Sequence, residues 1–203
     1  MVPKSWPKRL TYARESDSVE VNLSFLRYYL YTGNVEDLHK NSWVIENKCV
    51  QPHLQIKKII PSLKMSDGRF HPLANQKTLA GHPNYGVFAR EKIKIDTEIG
   101  EYVGEMSINQ EYNSPMACYS EYTWKIRVNN LVLFIDAQNI ANELGLINDY
   151  LGLSVKPNLA MKPIIHKGFY YFGYVSICDI EKGEELLVDY GKAFQNMLGR
   201  KVH

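Results

Sequence analysis

A chain of 203 residues with 45% apolar and 23% charged residues can bury one well-formed core, as an ordinary globular protein does. A formal charge of +2 is too weak to mark a direct nucleic-acid binder, and the basic clusters Lys4 to Arg9 and Lys57-Lys58 read as solvated surface. The longest wholly apolar run, Leu131 to Ile135, is too short to span a bilayer or to form a secretory core. Cys49, Cys118 and Cys178 are dispersed and form no Cys-x-x-Cys pair, which argues against a zinc site or a disulfide framework. Reduced thiols fit a cytosolic or nuclear setting.

In chain order, Val19 to Tyr31 carries apolar residues at near-helical spacing, and Thr32-Gly33-Asn34 supplies a stop. A second helix is expected from Asn34, with Glu36-Asp37 in its first turn. Val50 to Leu63 suits a helix or a short strand. Past Gly81 the pattern changes to short strands between turns. Strands are expected at Tyr85 to Ala89, Glu98 to Val103, Tyr122 to Val128 and Leu131 to Ile135, the last two flanking Asn129-Asn130 like a hairpin. Asn139 to Ile147 reads as a short helix or coil. Asn158 to Ile165 and Phe169 to Ile177 follow as strands joined at His166-Lys167-Gly168, then Glu185 to Asp189 after Glu181-Lys182-Gly183. The expectation is a mainly β (α+β) chain: a helical N-terminal region at 1–80, a β domain at 81–194 and a short tail at 195–203.

Four stretches carry candidate chemistry. Asn84-Tyr85-Gly86-Val87-Phe88-Ala89-Arg90-Glu91 places a glycine where backbone can approach a ligand closely, though a plain tight turn explains it as well. Gly100-Glu101-Tyr102-Val103-Gly104-Glu105 reads as a strand ending in a turn. Ala141-Asn142, Ile147-Asn148-Asp149-Tyr150 and Lys156-Pro157-Asn158 supply three asparagines able to satisfy irregular backbone. Glu184-Glu185-Leu186-Leu187-Val188-Asp189-Tyr190-Gly191 puts a phenol where the chain turns away.

Taken in this order and spacing, the four stretches resemble the SET domain from about Tyr85 to Gly191, and the first two look especially like the compact SET proteins of intracellular bacteria such as chlamydiae. The resemblance implies small, mostly antiparallel sheets around a threaded crossing, made here by Ile147 to Asn158 and Leu187 to Gly191. It implies lysine methylation with S-adenosylmethionine as donor. Tyr190 matches the catalytic tyrosine and Tyr102 the tyrosine of the second motif. The cofactor pocket would be lined by the backbone around Asn84, Tyr85, Gly86 and Phe88, by Tyr122 or Tyr119, and by Asn148 and Asp149, with Phe194 closing it. No metal is implied, since no cysteine-rich tail follows Tyr190.

Some positions depart from the family's pattern. Asn84 stands where glycine is usual, Asp149-Tyr150 where the family has His-Ser, and the loop Leu151 to Lys156 is long. Val188 replaces a bulkier aromatic residue, which suggests room for further methylation. These departures leave a second reading open, a degenerate module that binds a lysine-bearing partner without turnover. The expected partner is a basic, lysine-containing protein such as a histone, with neither nucleic acid nor membrane contacted directly. Glu105, Glu111 and Glu121 are placed to steer such a peptide or to act as solvated surface. The bacterial likeness adds an exported protein acting on host chromatin, or one acting on the bacterium's own packaging proteins.

Overall fold

The computed structural model describes residues 3, 5–12, 17–18, 54–78, 81–109, 122–128, 131–166, 169–192 and 194. The helix expected over Val19 to Tyr31, the one expected from Asn34, the tail at 195–203, Cys49, Cys118, Tyr119, Glu111 and Glu121 lie outside these residues. The strands are β1 (Thr11–Tyr12), β2 (Asp17–Ser18), β3 (Leu54–Lys58), β4 (Tyr85–Ala89), β5 (Glu98–Glu101), β6 (Glu105–Asn109) and β7 (Thr123–Val128). They continue as β8 (Leu131–Asp136), β9 (Ile140–Ala141), β10 (Asn148–Asp149), β11 (Leu159–His166), β12 (Phe169–Ser176) and β13 (Leu187–Val188).

These strands form five small sheets: β1-β9, β10-β13, β11-β12-β5, β2-β6-β8-β7 and β3-β4. The expected strands after Gly81 form within a few residues of their anticipated bounds, and β7 pairs antiparallel with β8 so that Val128 faces Leu131. The β6 strand was not anticipated. Asn139 to Ile147 divides into β9 and a 3-10 turn at Glu143–Leu146, so neither a plain helix nor a plain coil describes it. Asn142 caps that turn, accepting from the Leu144 N–H and donating to the Glu101 carbonyl at 2.7 Å.

Val50 to Leu63 resolves in its described part into β3, where Leu54 and Ile56 are buried and Gln55 and Lys58 exposed. That alternation has the period of a strand, and the branched Ile56 suits it. Antiparallel pairing runs from Leu54 against Ala89 to Lys58 against Tyr85. On its other side β4 meets the Glu184–Leu186 backbone, through Ala89 N–H to the Glu184 carbonyl and Leu186 N–H to the Val87 carbonyl. β4 is therefore a central strand, held by chain from both before and after it.

One buried pair fastens the early chain further. His71 and Glu185, with side chains 0% and 5% exposed, meet at 2.7 Å between Nε2 and Oε2. The Leu73 N–H donates to His71 Nδ1, so the Nε2–H tautomer satisfies both contacts. The second carboxylate oxygen of Glu185 accepts from Asn148 Nδ2 at 2.8 Å. A Cβ at Gly86 would lie 2.5 Å from Glu185 Oε1 and 2.9 Å from the Phe88 ring, which explains a glycine in mid-strand.

Two outcomes are expected. A chain beginning at Leu79 loses β3 and His71, baring the β4 edge and leaving a buried carboxylate short of a partner, at a cost of about 1–3 kcal/mol or more for the carboxylate alone. Circular dichroism should show it unfolded or aggregated; a soluble fragment that melts cooperatively would refute the structural role of this segment. Gly86→Ala should lower stability by about 1–3 kcal/mol, because Glu185 is pinned by His71 and Asn148 and cannot swing aside. Differential scanning calorimetry should register a drop of several degrees, and an unchanged Tm would show that Glu185 is free to move.

Candidate active site

The candidate residues converge where β10 runs parallel to β13, with Asn148 opposite Leu187 and Asp149 opposite Val188. Two residues a side cannot hold such a pair alone, and the flanking chain extends it. Tyr150 N–H donates to the Val188 carbonyl at 2.9 Å and Asn158 N–H to the Leu187 carbonyl at 3.1 Å. The Asn158 side chain then accepts from Leu187 N–H at 2.7 Å and donates to the Glu185 carbonyl at 2.8 Å. These are the two segments expected to cross.

Tyr190 leaves this crossing with its phenol donating to the Ile147 carbonyl at 2.5 Å, and its ring meets Phe194 edge-on at 4.7 Å between centroids. Asn148 donates through Nδ2 to the Tyr85 carbonyl and to Glu185, both at 2.8 Å. Its amide is thereby fixed in orientation, and Oδ1 has no partner among the described residues. An acceptor oxygen without a hydrogen-bond donor among the described residues suits the protonated amino group of an amino-acid-bearing cofactor. Tyr85, Asn148, Asp149, Tyr190 and Phe194 are thus linked through one another.

Tyr102 and Tyr122 form the adjoining wall. The Tyr102 phenol donates to the Tyr122 carbonyl at 2.6 Å. Burial first, and then the neighbouring Tyr174, Tyr190, Asp136 and Tyr122, hold its pKa well above the ordinary tyrosine value. Behind it stand Trp124 and Tyr174, edge-on to Tyr102 at 6.4 and 5.9 Å. The Trp124 indole donates to the Tyr174 hydroxyl at 3.0 Å, and burial pushes that phenol up as well. Both phenols stay protonated and neutral at physiological pH.

The side chains of other expected site residues have partners of their own. The Asn84 amide donates to the Leu73 and Gln76 carbonyls, tying down the chain around the 3-10 turn Pro72–Asn75. Phe88 is 3% exposed and packs beneath Gly86. It lines a cavity of about 450 Å³ shared with Arg69, Leu153, Asn158, Glu185 and Leu187, which none of Tyr102, Tyr122, Asn148 or Tyr190 reaches. Glu105 lies near Asn139, whose amide donates to it at 3.3 Å.

Sequence reasoning missed His71, Trp124, Tyr174 and the docking of Arg9 on Tyr122. The Arg9 guanidinium lies 5.7 Å from the Tyr122 ring centroid and 3.4 Å from its hydroxyl. The signal for Trp124 and Tyr174 was present, since both stand in expected strands whose inward positions would crowd Tyr102.

Residues 84–191 match the family model described as "SET domain". The "Variant-silencing SET domain-containing protein" of Plasmodium falciparum is 32% identical over 117 residues, covering 54% of this chain and 4% of that protein. "Histone-lysine N-methyltransferase MEDEA" of Arabidopsis thaliana is 32% identical over 123 residues, 57% of this chain and 17% of that protein. The chain therefore spans a small fraction of the length of these relatives. A crystal structure of KRYPTONITE in complex with mCHH DNA, H3(1-15) peptide and SAH aligns over 59% of this chain and 22% of that one, at 24% identity and a TM-score of 0.43. With the family model covering more than half of its residues, and with its motifs meeting at one crossing, the chain belongs to the SET-domain family.

Proposed function

We propose that this chain transfers methyl groups from S-adenosylmethionine to lysine side chains of a basic protein. The observation that carries the reading is the seat of Tyr190, whose phenol is fixed on the Ile147 carbonyl beside an Asn148 amide of fixed orientation. Asn148 Oδ1, the backbone at Tyr85 and the Phe194 ring would hold the cofactor, whose sulfonium supplies an electrophilic methyl group. A histone or a similarly basic substrate is favoured by the similarity to a relative named as a histone-lysine methyltransferase.

The chain's own residues account for the remaining chemistry. A free lysine has a pKa of about 10.4, so only roughly one in two thousand is neutral near pH 7. The wall of Tyr102, backed by Trp124 and Tyr174, would remove water from the entering ammonium and lower that value. The Tyr190 O–H donates a hydrogen bond to the Ile147 carbonyl, and the phenol oxygen would accept from the amine and aim its lone pair. A side-chain base is not required. Tyr102 is held neutral, Asp149 is bound to backbone N–H groups, and Glu185 to His71 and Asn148. The proton leaves with water.

The test is radiolabelled methyl transfer from S-adenosylmethionine to mixed histones, bacterial basic proteins and a cell lysate. Label on lysine is expected, with kcat reduced about tenfold to a hundredfold in Tyr190→Phe and the cofactor Kd little changed. No label on any substrate would refute the reading, and equal loss of turnover and cofactor binding would give Tyr190 a structural role. The rate should also climb between about pH 7 and 9 with the neutral fraction of the substrate lysine. Because burial raises the Tyr102 pKa, its ionisation should not cut that climb short. A decline setting in below about pH 9 would show a phenol titrating within the site.

A further inference from the structure

Asp149 is 9% exposed, and its two carboxylate oxygens serve two different stretches of chain. Oδ1 accepts from the Leu151 N–H at 2.8 Å, closing the turn that follows the strand. Oδ2 accepts from the Tyr190 N–H, also at 2.8 Å, across 41 residues of sequence. The phenol of the same tyrosine is bound to the Ile147 carbonyl. The backbone and the hydroxyl of Tyr190 are thus both tied to residues 147–149, at opposite ends of one side chain.

We propose that Asp149 is a positioning residue for Tyr190, fixing the backbone from which the phenol is aimed without itself touching substrate. This rests on the reading of Tyr190 given under Proposed function. The task requires two acceptors at once, and a carboxylate supplies them as charge-assisted bonds. A neutral imidazole, the side chain the family usually carries here, has a single acceptor nitrogen and cannot receive both N–H groups. Asparagine has one acceptor oxygen and would turn an NH₂ donor against the other N–H. The long loop that follows is consistent with this arrangement. Its first turn is closed by Asp149, by Leu153 N–H on the Tyr150 carbonyl at 2.9 Å, and by buried Leu153. The departure from the family's pattern thereby becomes a substitute means of holding the same tyrosine.

The test compares the full chain with Asp149→Asn and Asp149→Ala by two measurements. In amide NMR spectra of protein labelled with 15N-tyrosine, the Tyr190 resonance is assigned by its loss in Tyr190→Phe. It should lie downfield in the parent and move upfield in both variants; a resonance that stays in place overturns the proposal. In steady-state methyl transfer, Asp149→Asn should lower kcat by about tenfold or more while the cofactor Kd changes by less than about twofold. An unchanged kcat overturns the positioning role. So does a parallel collapse of kcat, cofactor affinity and cooperative unfolding, which marks a residue needed only for folding. Should the parent transfer no methyl group to any lysine, the functional reading fails by itself, and the amide resonance still decides whether Asp149 holds Tyr190.

Discussion

The crossing of residues 147–150 with 187–190 is the constraint on which the rest depends. Its strands contribute only two residues each, so side chains from neighbouring segments must complete the hydrogen bonding. Asn158 binds the passing chain at both Glu185 and Leu187, and Asp149 takes the Tyr190 amide. A hydrogen bond contributes about 0.5–1.5 kcal/mol net, or about 1.5–3 when one partner is charged. The larger consequence is asymmetric. Removing one partner leaves a buried group unsatisfied, so these positions tolerate substitution poorly even where the bond itself contributes little.

Glu185 connects the crossing to the segment before residue 81. Its carboxylate receives His71 on one oxygen and Asn148 on the other, while its carbonyl receives Asn158. The amide proposed to meet the cofactor is therefore oriented by a residue whose other partner lies 114 positions away in sequence. β3 reinforces the same link by pairing with the strand that presents the Tyr85 carbonyl. The lead-in is thus part of the packing that positions the site, and the aromatic cluster of Tyr102, Trp124 and Tyr174 stands on sheets that share this core.

Much of the β domain was legible because its strands carry apolar residues bounded by Gly, Asn or Pro. Tyr85–Ala89, Leu131–Asp136 and Phe169–Ser176 are plain cases. β6 was not legible, since Glu105–Asn109 has only Met106 and Ile108 as apolar residues and owes its form to pairing with β8 and β2. Val50 to Leu63 stayed open because alternation over a few residues also fits a helix. In the site, the motif order pointed to Tyr190, Tyr102 and Asn148. It could not show that Asn84 ties down the 3-10 turn segment, or that Asp149 binds a strand end rather than simply standing beside a cation. Those roles are set by partners distant in sequence, which periodicity and local motifs do not record.

Titration calorimetry of S-adenosylmethionine into the full chain and into Asn148→Ala tests the proposed site most directly. One-to-one binding to the parent, weakened about tenfold or more in a variant that keeps its fold, is the expected result. Absence of binding to the parent, or equal affinity in the two proteins, would contradict the assignment of Asn148 and of the crossing as the cofactor's seat.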